Sequence, residues 1–252
     1  LCRTSKIRPR SSKIAAAAPI HRCRPSRGAT STIATRLGRR SRMPTAGIVP
    51  RMEFQEVARK RKMVRSFEDR PLPPEMVERI LANAQRAPSA GFSQGWSFLV
   101  FEGKDETARF WEVADPERRS ARGWPDLYNA PLIVVCCSEK DVYIDRYARE
   151  DKGWTDRDEK RWPVPYWDVD TSMAAMLILL TAVDLGLGAL FFGLFRYQEF
   201  KEAFGIPERV NPIGAIAIGY PNPKDRPSPS IKTVGRRPSE QVIHRGRWGV
   251  RR

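Results

Sequence analysis

The sequence predicts an α/β protein, equally describable as α+β, with helices flanking a mixed central β-sheet. Three observations carry that expectation. Apolar residues at helical spacing alternate along the chain with short apolar runs of strand length. Proline and glycine punctuate the boundaries between these segments. An apolar share of 41% gives a 252-residue chain a sizeable core.

Taken in order, Glu53 to Lys60 reads as a short helix leading into a basic stretch. Pro73-Pro74-Glu75 opens a second helix, whose Val77, Ile80, Leu81 and Ala84 recur on one face. Pro88 stops it at Ala87. Trp96 to Phe101 is a strand, Asp105 to Ala114 a helix, and Leu132 to Cys137 a wholly apolar strand of the kind buried on both faces. Tyr143 to Trp167 is polar and aromatic, and reads as a surface insertion able to act as a lid. Met173 to Val183 has Thr181 as its one polar side chain, so protein or lipid must surround it. The apolar stretch continues to Phe195, long enough to cross a bilayer. Asp184, Gly186 and Gly188 interrupt it, however, and Gly186 stands where a helix end wants a left-handed residue. A buried helix followed by a strand, Ala189 to Phe192, is the better parse. Ile213 to Ile218 is the last strand, and a Pro-rich tail with Arg236 and Arg237 follows.

Charge is distributed unevenly. The net +16 suggests nucleic acid. Yet residues 1 to 51 hold thirteen of the 45 Lys and Arg and none of the 29 acids, leaving +3 on residues 52 to 252. The chain therefore divides into a basic leader, 1–51, and one folded domain, 52–252. Three readings of the leader stand open: a disordered extension with Met43 or Met52 as the natural start, an organellar transit peptide, or a basic arm on nucleic acid. The first is favoured. Cys2, Cys23, Cys136 and Cys137 lack the spacing of a disulfide framework or zinc site, and Cys136 and Cys137 read as small buried hydrophobes. No metal is expected. No cleavable apolar region stands near the N-terminus, which points to the cytoplasm.

Three separated segments carry the functional signal. Arg59-Lys60-Arg61-Lys62-Met63-Val64-Arg65 concentrates cations, and Arg presents a planar fork that matches phosphate oxygens. By itself such a run is more often a solvated helix face. Pro88-Ser89-Ala90-Gly91-Phe92-Ser93-Gln94-Gly95-Trp96 joins a helix to a strand; its small residues admit a flat ligand, and Ser89 and Gln94 offer hydrogen bonds. Gly186-Leu-Gly-Ala-Leu-Phe-Phe-Gly193 pairs with the distant Arg236-Arg237-Pro238. It is neither the glycine turn of a dinucleotide fold nor a phosphate loop.

In order and spacing these segments resemble the nitroreductase family, over about residues 53 to 249. The resemblance implies a nitroreductase-like fold, an intertwined homodimer, and FMN held at the dimer interface with each site drawing on both chains. Arg61, Lys62 and Arg65 would bind the FMN phosphate, with Met63 standing where many members have Ser. Pro88, Ser89 and Ala90 would pack along the flavin. Phe92 replaces a frequent Asn, and Gln94-Gly95-Trp96 replaces the usual Gln-Pro-Trp. Phe191, Phe192 and Gly193 would lie at the flavin ring, and Arg236 or Arg237 would clamp the phosphate. The helix Met173 to Val183 would be central dimer core.

The activity so implied is electron transfer from NADH or NADPH through FMN to nitroaromatic, quinone or related small planar acceptors, by ping-pong kinetics. No side chain is identified as a proton donor; His244 reads as structural or solvated. Enone reduction, dehalogenation or flavin fragmentation on the same fold are the enzymatic alternatives. A non-catalytic nucleic-acid-binding protein is the alternative of a different class. Neither nucleic acid nor a membrane is an expected partner.

Overall fold

The computed structural model describes residues 52–250. The three readings of the basic leader, with Cys2 and Cys23, lie outside the described residues. From Met52 the chain forms α1 (Phe54–Lys60), crosses an extended basic segment, and enters α2 (Pro74–Ala84) with a proline in its first turn. A short loop with one 3₁₀ turn leads into β1 (Trp96–Glu102), followed at once by α3 (Gly103–Ala114). Irregular chain then reaches β2 (Leu132–Glu139), α4 (Lys140–Tyr147) and, after a polar excursion, α5 (Tyr166–Asp184). The remaining elements are β3 (Gly188–Phe192), α6 (Tyr197–Ala203), β4 (Val210–Gly219), α7 (Pro229–Val234) and α8 (Ser239–Val242).

The four strands lie in the order β1-β2-β4-β3, with β1 and β3 at the edges. All three strand pairs are antiparallel, and parallel pairing among the described residues is confined to the isolated bridge Met63–Ala189. The expected mixed sheet is therefore corrected to an antiparallel one. Alternation of helix and strand suggested crossovers, but the β1–β2 connection contains two traverses. Helix α3 runs back, and the stretch Asp115–Pro131 returns, so Glu102 pairs with Leu132 and Gly103 N donates to Pro131 O at 2.9 Å. Pro212 fits in β4 because the register shifts opposite it, between Cys136 and Cys137.

Strand β2 is buried on both faces. Leu132, Val134 and Cys136 join Ile216 and Ile218 of β4 under α2 and α5, while Ile133, Val135 and Cys137 join Ala215 and Ala217 under α3 and α6. The two adjacent cysteines thus serve two different cores, as strand geometry requires. Helix α5 buries Ala174, Ala175, Ile178, Leu179 and Ala182 against the sheet. It ends in a left-handed glycine, Gly186 at φ 74°, with Leu187 N bonded to Ala182 O at 2.8 Å. By length and composition it could cross a membrane, yet 56% of its apolar window is buried inside this fold.

Helix α5 begins seven residues before Met173, at Tyr166. Tyr143–Tyr147 belongs to α4, with Tyr143 fully buried. The exposed part of the expected insertion is therefore 148–165, and it carries its own aromatic cluster. Trp162 packs edge-on against Tyr147 at 4.6 Å and against Trp154 at 5.4 Å.

Two outcomes follow from this packing. Ile178→Ala should cost about 2–5 kcal/mol in urea unfolding, and an unchanged midpoint would place that side chain outside the core. Burial pushes the Cys136 thiol from 9.0 up to about 12 and the Cys137 thiol up to about 11. Unfolded thiols ionise near 9.0, so their contribution is complete below that pH and is lost as pH rises toward 11–12. Peptide mapping should find both thiols unalkylated in the native protein at pH 8, and alkylation there would refute their burial.

Candidate functional site

The basic segment is held by its backbone. Val64 N donates to Ala189 O at 3.0 Å, which lays the segment on the free edge of β3. Phe67 N bonds Asp126 O at 3.2 Å, and Asn222 N bonds Ser66 O at 2.9 Å. Close approach explains one glycine: a Cβ on Gly188 would stand 2.8 Å from the Val64 side chain. The first and third motifs of the sequence are thereby brought together. Lys60, Lys62 and Val64 share one cleft of about 320 Å³ with Gly186, Leu187 and Gly188.

Asp225 organises the cations there. Its side chain, only 3% exposed, accepts from Lys62 Nζ at 3.0 Å and from Arg65 N at 2.9 Å. A buried carboxylate needs such partners, and part of the Lys62 charge is thereby balanced internally. The Arg65 guanidinium donates to Met63 O at 3.3 Å and lies 5.2 Å from the centre of the Trp124 ring. Among the described residues no carboxylate pairs with Arg61, Arg65, Arg236 or Arg237.

The other end of β3 opens on a second cleft, of about 250 Å³, lined by Trp111, Asp115, Arg119, Phe192 and Gly193 among others. Phe192 stacks on Trp111 with ring centres 5.5 Å apart and planes 11° from parallel. Trp111 Nε1 is a buried donor without a partner among the described residues, and such a group favours an acceptor brought by a ligand. Asp115 accepts from Tyr128 Oη at 2.6 Å, and burial followed by this carboxylate pushes the phenol up to about 12. Tyr128 is therefore a fixed donor at neutral pH. Phe191 turns to the other sheet face, packing with the α2–α5 core.

The loop Pro88–Gln94 lies elsewhere, ahead of β1 on the opposite edge of the sheet. Ser89 Oγ accepts from Gln94 N at 3.0 Å, and Ala90 N donates to Asp170 Oδ2 at 2.8 Å. Phe92 and Gln94 both adopt φ 55°, and the Phe92 ring is 74% exposed. Pro88 is exposed as well. Arg236 and Arg237 sit between α7 and α8 on the tail. Among the described residues every hydrogen bond of 226–250 stays within the tail, including Arg237 Nη2 to Gln241 O at 2.9 Å. His244 accepts from Gly249 N at 3.3 Å, also within the tail.

Within one chain the structure thus unites the basic segment with both ends of β3, and leaves the Pro88–Gln94 loop and the arginine tail apart. Sequence reading missed Asp225, Trp124, Trp111 and Asp170. Asp170 alone left a signal, as an acid preceding an apolar helix.

Comparison with known proteins fits this architecture. The family model described as Nitroreductase family matches residues 58–220. A protein of Methanothermobacter thermautotrophicus that carries the name NADH dehydrogenase/NAD(P)H nitroreductase is 31% identical over 187 residues, covering 71% of this chain and 84% of that one. An FMN reductase [NAD(P)H] of Bacillus subtilis is 26% identical over 187 residues, covering 73% of this chain and 69% of the relative. Among solved structures, a nitroreductase family protein from Clostridium difficile is 25% identical with a TM-score of 0.58, covering 78% of this chain and 99% of that one. A nitroreductase family protein from Streptococcus pneumoniae has a TM-score of 0.60 at 23% identity, covering 76% and 99% of the two chains. The names of these relatives describe NAD(P)H oxidoreductases, and with a family match over most of the described residues this chain belongs to the nitroreductase family.

Proposed function

We propose that this oxidoreductase holds FMN along the edge of β3 and passes electrons from NADH or NADPH to nitroaromatic, quinone or related small planar acceptors. The observation that carries the reading is the docking of the basic segment on β3, through the Met63–Ala189 bridge and the Val64 N to Ala189 O bond. Arg61 and Arg65, without a carboxylate partner among the described residues, flank the bridge at the strand's start, while the open cleft beside Gly193 lies at its end. The residues present fit an FMN. Arg61 and Arg65 supply charge for a phosphate, Lys62 adds what Asp225 leaves, and Met63 lies at the strand start without a polar contact to offer. Gly193 leaves room beside the strand, and Phe192 on Trp111 gives a rigid aromatic floor.

Bound flavin supplies the two-electron chemistry between donor and acceptor. The protein's part is to orient the planar reactants and exclude water around them. Backbone at Phe192 and Gly193 would border the ring, and the Arg65 guanidinium, steadied by Trp124, would hold the phosphate. One cleft serving donor and acceptor in turn gives ping-pong kinetics.

Sheet order further supports a two-chain site. The Pro88–Gln94 loop precedes one edge strand, three strand spacings or about 14 Å from β3 on the other edge. Ser89, Ala90, Phe92 and Gln94 would therefore reach the flavin of a second copy. Helix α5 offers the surface: Met173 and Met176, 41% and 45% exposed, stand with Leu177 and Leu180 at helical spacing on its outer face. The tail, with exposed Ile231, Val234 and Trp248, would pack on the second copy and bring Arg236 and Arg237 to its phosphate site.

The purified protein should be yellow with bound FMN and should sediment as a dimer of the 28.8-kDa chain. Anaerobic NADH or NADPH should bleach it, and nitro or quinone acceptors should restore the colour. A colourless protein that binds DNA with a steep salt dependence would overturn the reading. The double variant Arg61→Ala/Arg65→Ala should weaken FMN binding at least about 100-fold while the dimer persists. Unchanged FMN affinity would remove the phosphate assignment.

A further inference from the structure

We propose that Asp170 is a positioning residue. From the first turns of α5 its carboxylate holds the Pro88–Gln94 loop in the shape that loop presents to the flavin. The inference rests on the reading that this loop contacts FMN.

The loop is costly to hold. Gly91, Phe92 and Gln94 take φ values of 61°, 55° and 55° within four residues, and two of the three have side chains that disfavour the left-handed region. Nothing in its 3₁₀ turn is buried, so packing of the loop itself does not compensate. Three backbone grips do. Asp170, 3% exposed, accepts from Ala90 N at 2.8 Å and from the Tyr143 hydroxyl at 3.0 Å, both through Oδ2. Arg146 Nε donates to Gly91 O at 2.9 Å. Ser89 Oγ takes Gln94 N at 3.0 Å.

The two grips from α4 and α5 are braced from behind. Tyr143 is wedged so tightly beside the loop's exit that a Cβ on Gly95 would stand 2.4 Å from its ring. The Arg146 fork is fixed by both oxygens of Asp151, at 2.8 and 2.7 Å. The Tyr147 ring would be 2.7 Å from a Cβ on Gly91, and it packs against Trp154 and Trp162 of the 148–165 segment. That segment therefore acts as a strut for the loop. A buried carboxylate spent on an exposed, strained loop adds little to the core; it pre-organises a contact surface, as supporting residues of binding sites do.

The full-length protein tests this with FMN as the probe. Asp170→Ala should raise the FMN dissociation constant at least about tenfold. It should also speed amide exchange at 89–94 while the β2 and β4 amides stay protected. Asp170→Asn, whose Oδ1 can accept from both donors, should bind FMN within about threefold of wild type. Should Asp170→Ala fail to fold, Arg146→Met, which frees Gly91 O without opening the core, should give the same loop-confined exchange and weakened binding. Wild-type affinity and exchange in Asp170→Ala, or in Arg146→Met where that variant stands in, would overturn the proposal while leaving the flavin reading intact. A wild-type protein that takes up no FMN would overturn both.

Discussion

Helix α5 is apolar on nearly every face, and its own fold covers the faces that meet the sheet, α1 and α2 but leaves an outer stripe open. That one imbalance shapes the rest. The inner face, through Ile178 and Ala182, fixes the helix over β2 and β4. Both ends are tied by carboxylates. Asp170 reaches the loop before β1, and Asp184 accepts from Met52 N at 3.1 Å and Arg79 Nη2 at 3.0 Å. The outer face retains Met173 and Met176 in contact with solvent. Water around such a stripe is unfavourable, and a second copy of the same surface is self-complementary about a two-fold axis.

The same helix separates the halves of the proposed site. Asp170 and Val183 stand thirteen residues apart along it, about 20 Å at the rise of an α-helix. The Pro88–Gln94 loop hangs from one end, while the cleft holding Lys62, Val64 and Val183 sits at the other. In the proposed site the flavin that meets this cleft takes its loop from a second copy. Asp225 adds an electrostatic refinement: by balancing Lys62 and anchoring Arg65 N, it fixes where positive charge remains, at the two guanidinium groups of Arg61 and Arg65.

Much of this was legible in the residues, for identifiable reasons. Local rules placed the strands, since β2 and β3 are apolar runs bounded by proline and glycine, and they placed the end of α5, since Gly186 can take a positive φ. The start of α5 was hidden because Asp168, Asp170 and Thr171 are polar for tertiary reasons; Ser138 Oγ donates to Asp168 Oδ1 at 2.6 Å. Strand direction was hidden because the return traverse Asp115–Pro131 has no periodicity to read. Within the site, the clustering of cations was visible, but their anchor was not. Asp225 lies 160 residues from Arg65, and only the fold brings them together. The loop was recognisable by its small residues, whereas the left-handed Phe92 and Gln94 depend on grips from α4 and α5.

Subunit complementation tests the shared site most directly. Arg61→Ala/Arg65→Ala disables the basic segment, and Ala90→Trp blocks the loop. Each variant alone should stay almost free of FMN at a concentration that saturates the wild type. Unfolding and refolding the two in equal amounts should restore FMN to about a quarter of the sites, because each mixed dimer then has one site with both halves intact. If one chain builds the whole site, every site in the mixture carries one lesion or the other, and no recovery on mixing would contradict the account.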